Sequence, residues 1–113
     1  MKPEVTARAR RDLLVILGAS RERFGPSAER RYRHLIHQAI RDLGDDPARN
    51  GVVAYSDRGG VFLYHTRHSR VRTPHPRVGR PRHVIVFHFS GGRIVVLHVL
   101  HDAMNLPERL AEL

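Results

Sequence analysis

Residues 82–101 read RHVIVFHFSGGRIVVLHVLH, and this stretch decides the fold. Two runs rich in Val, Ile and Phe flank Gly91-Gly92, a dipeptide that tolerates the positive φ angles of a tight turn, so the stretch predicts a β-hairpin. With the two glycines as the loop, regular alternation along the strands places Arg82 opposite His101 and puts both side chains on one face.

Both faces of this hairpin are apolar in the middle. Alternation gives one face His83, Ile85, Phe87, Phe89, Ile94, Val96, His98 and Leu100, and the other face Arg82, Val84, Val86, His88, Val95, Leu97, Val99 and His101. A strand pair that is apolar on both sides has to be covered on both sides. Helices elsewhere in the chain can cover one face. The second face needs another cover, for which a partner protein is one candidate.

Two amphipathic helices are predicted between Thr6 and Gly44. Thr6 is a suitable N-cap for the first helix, which runs to about Arg23, and Gly25-Pro26 ends it and begins the second. Gly44 suits the end of the second helix, and residues 45–47, Asp-Asp-Pro, prevent its continuation. The short connection predicts an antiparallel helical hairpin, whose joint apolar face covers one side of the sheet.

The remainder of the chain adds strands, a basic loop and a last helix. Residues 51–57 and 61–68 are strand candidates, whereas residues 1–5 are too few to predict a strand. Residues 71–81 contain three prolines, which favour a loop, and residues 106–113 predict a short helix. The fold class is therefore α+β: an N-terminal antiparallel helical hairpin packed on a three- to four-stranded antiparallel sheet, with a short C-terminal helix.

Composition bounds the kind of protein. The 113 residues, 41% hydrophobic and 27% charged, suit a single domain, 1–113, with one core. No stretch is long enough to span a membrane and no signal peptide is present, so a cytoplasmic protein is expected. The sequence has no cysteine, which excludes disulfides and thiolate metal sites. His34 and His37 have a spacing that can bind a metal, but no third ligand accompanies them, so neither a metal nor a cofactor is expected.

Positive charge is concentrated in one part of the chain. The formal net charge is +9, from 20 Lys and Arg residues against 11 Asp and Glu residues. Residues 58–101 hold eight arginines, seven of the nine histidines and no acidic residue. A surface of one sign attracts nucleic acid or an acidic protein, and a solvated basic face with no dedicated partner is the alternative.

Motifs along the chain resemble those of one protein family. They are Phe24-Gly25, Ala28 and Tyr32 in the helical region, Leu43 and Pro47 at its end, Pro81-Arg82-His83, Ile85 and Phe87 in the first hairpin strand, and Gly92, Ile94, Leu97, Val99-Leu100-His101 and Met104 in and after the second. In these motifs the chain is similar to the ParE branch of the RelE/ParE superfamily, the toxins of type II toxin–antitoxin pairs. The resemblance covers nearly the whole chain from about Thr6.

The resemblance implies a small α+β toxin that is made beside its antitoxin. The C-terminal segment of the antitoxin is implied to wrap around the toxin and to fold as it binds. From the apolar hairpin faces and the concentration of arginine, we predict that this segment packs on the uncovered apolar surface with its acidic residues meeting the arginines. ParE-like proteins generally lack the ribonuclease residues of RelE-type toxins and inhibit DNA gyrase instead. No catalytic residue is then expected, and binding of the antitoxin or the target falls to Arg67, Arg72, Arg77, Arg80, Arg82, His101, Met104 and Leu106.

Two alternatives remain open. A RelE-like ribosome-dependent mRNA endoribonuclease needs a base, an acid and a cation near the phosphate. Arg82, His88 and His101 are the residues that could supply them, because histidine titrates near neutral pH. The second alternative is a basic nucleic-acid-binding module without catalysis. It is less favoured because Phe62 and Tyr64 are the only aromatic residues near the basic stretch.

Overall fold

The computed structural model describes residues 1–55 and 58–111. Its elements are, in chain order, β1 (Glu4–Val5), α1 (Ala7–Phe24), α2 (Pro26–Asp45), β2 (Val52–Ala54), β3 (Val61–His65), a 3-10 helix (Thr66–Arg72), β4 (His83–Ser90), β5 (Arg93–His101) and α3 (Leu106–Leu110). The strands form one sheet in the order β1-β5-β4-β3-β2. The predicted α+β class is confirmed. None of the helices described is long and apolar enough to cross a membrane.

The sheet has five strands, whereas three to four were predicted. The additional strand is β1, whose two residues pair in parallel with Val95 and Val96 of β5, while the other strand pairs are antiparallel. The strand predicted for residues 51–57 is shorter and covers Val52–Ala54. Its positions 56 and 57 lie outside the described residues, as do positions 112 and 113 of the predicted last helix.

The predicted signals at the helix ends are confirmed in the main. The Thr6 hydroxyl accepts a hydrogen bond from the backbone N–H three residues later, at 3.1 Å, and so caps α1. Gly25, at φ 94°, joins the two helices, and Pro26 opens α2. The second helix continues one residue past Gly44, where a glycine is needed for another reason. A Cβ there would lie 2.5 Å from the Met1 carbonyl oxygen, so Gly44 lets the N-terminal residues pass close to α2.

The hairpin of β4 and β5 turns at Gly91-Gly92 as predicted, with both glycines at positive φ. Near the turn the predicted pairing is also confirmed, and Phe87 lies opposite Val96. Farther from the turn the register shifts by one residue, because Leu97 has no partner in β4 and forms a β-bulge in β5.

The bulge changes every pair between it and the open end of the hairpin. His83 lies opposite His101, so the predicted pairing of Arg82 with His101 is wrong. The faces change as well: Val99 packs in the core under the helices and Leu100 lies on the opposite side, the reverse of the prediction. A single extra residue therefore decides which side chains of β5 face α1 and α2.

The two sides of the sheet carry two apolar clusters. The larger lies under the helices and consists of Ala9, Ala39, Leu43, Tyr64, Ile85, Phe87, Ile94, Val96 and Val99. The smaller lies on the other side and consists of Val61, Val86, Leu100 and Leu110. Leu110 belongs to α3 and is only 1% exposed. The C-terminal helix of the chain itself therefore covers part of the face for which a partner protein was one candidate.

A buried carboxylate joins α2 to the 3-10 helix. Asp42 is 2% exposed and accepts hydrogen bonds from Ser69 Oγ at 2.6 Å and from Gln38 Nε2 at 2.9 Å. The guanidinium groups of Arg49 and Arg72 each approach this carboxylate to 3.7 Å. Since a buried charge is tolerated only when it is paired and hydrogen-bonded, this network holds the 3-10 helix against α2.

Residues 66–80, here called the basic segment, are more ordered than the predicted loop. The strand predicted for residues 61–68 ends at His65, and the 3-10 helix replaces its last part. The side chains of Arg70, within this helix, and Arg77, beyond it, donate hydrogen bonds to backbone carbonyl groups of the same segment, at 2.5 to 3.0 Å. Two of the arginines therefore hold the segment in its folded-back shape.

Candidate partner-binding site

A group of polar side chains, here called the hairpin-end cluster, lies where β4 begins and β5 ends. It consists of Tyr32, His65, Arg82, His83, His101 and Asp102. The Asp102 carboxylate is at the centre and accepts hydrogen bonds from His65 Nε2 at 2.9 Å and from the Arg82 guanidinium at 2.9 and 3.0 Å. The hydrogen bond from His65, followed by that from Arg82, lowers the pKa of Asp102, so this carboxylate is ionised at neutral pH.

Tyr32 reaches the cluster from α2. Its hydroxyl accepts a hydrogen bond from Arg82 N at 2.9 Å and lies 2.6 Å from His83 Nδ1, to which it donates its own proton. Burial, followed by the proximity of His101, lowers the pKa of His83 to about 4. Burial also raises the pKa of Tyr32. Both groups are therefore uncharged at neutral pH.

His101 packs against His83, with the ring centroids 5.3 Å apart and the planes 84° apart. Its Nδ1 accepts a hydrogen bond from Ala103 N at 3.0 Å, so the neutral ring carries its proton on Nε2. The side chain is 39% exposed. His101 can therefore donate one hydrogen bond from Nε2 to a bound partner.

A groove, here called the α1 groove, runs along α1 beside this cluster. It consists of two adjoining cavities of about 690 and 710 Å³, which share Val15, Ile16, His83, His101 and Met104. Its apolar side chains are unusually open to solvent: Val15 is 71%, Phe24 73% and Met104 38% exposed. Its rim carries Arg23, Arg31, Arg77, Arg80 and Arg82. The groove therefore combines an apolar floor with a positively charged edge.

The eight residues predicted to bind the antitoxin or the target do not lie at one place. The α1 groove is lined by five of them, Arg77, Arg80, Arg82, His101 and Met104. Leu106 packs against the smaller apolar cluster, and Arg72 lies beside buried Asp42. Arg67 is exposed at the start of the 3-10 helix. The set is thus divided between the groove, to which the basic segment contributes Arg77 and Arg80, the 3-10 helix at the start of that segment, and the far side of the sheet.

The residues named for a ribonuclease are not brought together. Arg82 and His101 both belong to the hairpin-end cluster, but His88 lies five residues along β4 from His83, which is about 17 Å at the rise of a β-strand. The His88 ring sits against Gly60, where a Cβ would be 2.7 Å from His88 Nε2. General acid–base cleavage needs its groups within hydrogen-bond reach of one phosphate, and these three residues do not meet that condition.

One polar contact of the groove was missed by sequence reasoning. Asp12 Oδ2 accepts hydrogen bonds from His98 Nδ1 at 2.9 Å and from Val99 N at 3.0 Å. It therefore ties α1 to β5 directly after the bulge, and Arg8 Nη1 lies 3.5 Å from His98 Nε2. Asp12 and His98 are 86 positions apart, and neither belongs to a local motif that could have revealed the pair.

The family comparison covers the hairpin-end cluster and all of the groove lining except Glu108 and Arg109. A family model described as ParE toxin of type II toxin-antitoxin system, parDE, matches residues 4–106. The matched range runs from β1 to the first residue of α3. The comparison with curated proteins gives no match.

Proposed function

The chain belongs to the ParE family of toxins of type II toxin–antitoxin systems, and on that premise we propose that it arrests growth by inhibiting DNA gyrase in the cytoplasm and that a cognate antitoxin neutralises it. The observation that carries the proposal is the α1 groove. Exposed apolar surface of this kind, rimmed by charge, is typical of a site that a protein partner covers.

The chemistry of the groove favours an acidic, amphipathic antitoxin segment. Its apolar residues would cover Val15, Phe24 and Met104, as in other cases where a helix lies in an apolar groove. Its carboxylates would meet the arginines of the rim, and His101 Nε2 would donate to one of them. A segment that is disordered when free can wrap such a surface and fold on it.

Gyrase inhibition by binding, without chemistry of the toxin's own, is supported by the state of the polar residues. His83 is neutral, and His88 lies at the other end of β4. The charge of Arg82 is already paired with Asp102 at 2.9 Å, which leaves less of it to stabilise a phosphate. These features weaken the ribonuclease alternative relative to a binding toxin.

The gyrase proposal is tested by expression without antitoxin. Growth should stop, a DNA-damage response should follow, and purified toxin should inhibit supercoiling by gyrase in vitro. Normal supercoiling at an excess of toxin, together with cut mRNA in a translating extract, would replace gyrase inhibition by the ribonuclease alternative.

Val15→Glu is expected to weaken antitoxin binding by about a hundredfold or more, because it places a carboxylate on the apolar floor and opposite acidic residues of the antitoxin. Leu14→Glu is the matched control, since Leu14 is 73% exposed, next to Val15 on α1, and does not line the groove. Calorimetric titration with the purified antitoxin measures the dissociation constant of each variant. An equal loss of affinity in the two variants would show that the antitoxin binds elsewhere.

His101→Ala is expected to lower the free energy of unfolding by about 1 kcal/mol, the scale of the hydrogen bond from Ala103 N that it removes. Toxicity should then follow the folded fraction. His101→Asn keeps an acceptor for Ala103 N and should melt closer to the unmodified protein. Thermal melting beside a growth-arrest assay makes the comparison. A His101→Ala protein that melts normally but has lost all toxicity would show that His101 acts on the target directly rather than through the fold, and cut mRNA in a translating extract of the unmodified protein would then assign it a catalytic role.

A further inference from the structure

Hydrogen bonds within the protein fix the shape of the basic segment before any partner binds. Besides the carbonyl contacts of Arg70 and Arg77, Ser69 Oγ donates to buried Asp42 at 2.6 Å and lies 2.8 Å from the Tyr64 hydroxyl. These contacts hold the 3-10 helix between α2 and β3. The order already present in the free protein lowers the entropic cost of binding through this segment.

Part of the positive charge of this surface is not used inside the protein. Within the described residues, Arg67 and Arg80 have neither an ion pair nor a side-chain hydrogen bond, and both are exposed. Arg72 is 55% exposed although it lies near Asp42. Asp42 is itself only 2% exposed, so its charge is not presented to a partner. The segment contains no acidic residue. The surface therefore attracts anions.

The character of the partner follows from what the segment lacks. Val71, 69% exposed, is its one large exposed apolar residue in the part of the chain described, and no Phe, Tyr or Trp occurs between residues 66 and 80. The two histidine rings of the segment already have partners, since His68 packs against Tyr64 and His75 Nε2 lies 2.9 Å from Arg77 Nη1. Tight protein interfaces depend on buried aromatic or apolar anchors, and single-stranded nucleic acids are bound by stacking on aromatic rings. The phosphate backbone of a duplex requires only well-placed cations.

We propose that the basic segment binds the phosphate backbone of duplex DNA, without preference for sequence. This binding is a property of the toxin alone and goes beyond gyrase inhibition. Only its biological consequence rests on the proposed function: if the toxin inhibits gyrase, the basic segment would contact the DNA on which gyrase acts. The segment shares Arg77 and Arg80 with the rim of the α1 groove, so DNA and the antitoxin compete at that edge, whereas the apolar floor of the groove is left to the antitoxin.

The test uses toxin released from its antitoxin complex and a short labelled DNA duplex, with fluorescence anisotropy recorded over a series of salt concentrations. The logarithm of the binding constant should fall linearly with the logarithm of the salt concentration, because bound phosphates release counterions. The Arg67→Gln, Arg80→Gln double variant should reduce the magnitude of that slope by about 2, one unit for each phosphate that the variant no longer neutralises.

The control is the Arg10→Gln, Arg11→Gln double variant. It removes the same charge from exposed positions of α1 and should leave the slope unchanged. Equal slopes for the two double variants would overturn the proposal, since binding would then follow net charge. So would tighter binding of a single strand of equal length, or no binding of the duplex at low salt. Circular dichroism melting confirms that each variant is folded. Gyrase is absent from this assay, so failure to inhibit supercoiling by toxin that binds DNA would contradict only the proposed function.

Discussion

Asp42→Ala is expected to lower the free energy of unfolding by about 3 kcal/mol, the scale of breaking a buried ion pair by removing one partner. The carboxylate is 2% exposed, accepts hydrogen bonds from Ser69 and Gln38, and faces two guanidinium groups, of which that of Arg49 belongs to a side chain only 17% exposed. Arg49 suffers most from its loss, because its Nε is buried and already without a hydrogen-bond partner among the described residues. The variant leaves the positive charge of Arg49 without the carboxylate that it is paired with.

Three further variants separate charge from shape at this site. Gln38→Ala removes one hydrogen bond to Asp42 and should cost about 1 kcal/mol. Asp42→Asn can still accept a hydrogen bond from Ser69, so its loss of unfolding free energy should lie between those of Gln38→Ala and Asp42→Ala. Adding Arg49→Met to Asp42→Ala should restore part of the stability, since the uncompensated charge is then gone. Urea denaturation of the four proteins gives the comparison. An Asp42→Ala protein as stable as Gln38→Ala would mean that the carboxylate contributes no more than one hydrogen bond.

Acidification from pH 6.5 to pH 4 is expected to lower the free energy of unfolding by roughly 3 kcal/mol through His83 alone. The folded protein holds the pKa of this residue at about 4, below its ordinary value of 6.5. Between these values the unfolded chain binds a proton that the folded chain does not, so every fall in pH favours unfolding. The stabilising contribution is complete above pH 6.5 and is lost as pH falls toward 4.

His83→Gln isolates this contribution, because glutamine does not titrate and its amide oxygen can still accept from the Tyr32 hydroxyl. The variant should show a shallower fall in stability over the same pH range. Asp102 affects stability at lower pH than His83 does, because its pKa in the folded protein lies below the ordinary 3.8. Its contribution to the free energy of unfolding is present above pH 3.8 and is lost only as the pH falls below that value. Denaturation at a series of pH values distinguishes the two residues. Parallel curves for the variant and the unmodified protein would refute the assignment.

Features set by neighbouring residues could be predicted from the sequence. The turn at Gly91-Gly92, the Thr6 cap and the break at Gly25-Pro26 each depend on the φ angle or hydrogen-bonding group of one or two residues. The two helices and the hairpin therefore appear in the structure where they were expected. The concentration of arginine between residues 58 and 101 could likewise be read directly.

Features that depend on contacts between distant residues could not be predicted from the sequence. The pairing of Ser69 with Asp42 and that of His98 with Asp12 join positions far apart in the chain, and no periodic pattern marks them. The bulge at Leu97 gives no signal either, because Val, Leu and His continue on both sides of it. As a result, the place of His101 beside His83, and with it the arrangement of the hairpin-end cluster, was beyond sequence reasoning.

The bulge gives β5 two phases of side-chain alternation. Before it, the even-numbered positions Ile94 and Val96 face the helices; after it, the odd-numbered positions Val99 and His101 do so. An alignment with a relative that has an unbroken strand therefore needs a one-residue gap at Leu97, or every later position is assigned to the wrong face. The same offset applies to chimeras. When a C-terminal segment from a relative without the bulge replaces the residues from Leu97 onward, it has to contain one residue fewer than the segment that it replaces. Otherwise its apolar side chains will point away from α1 and α2.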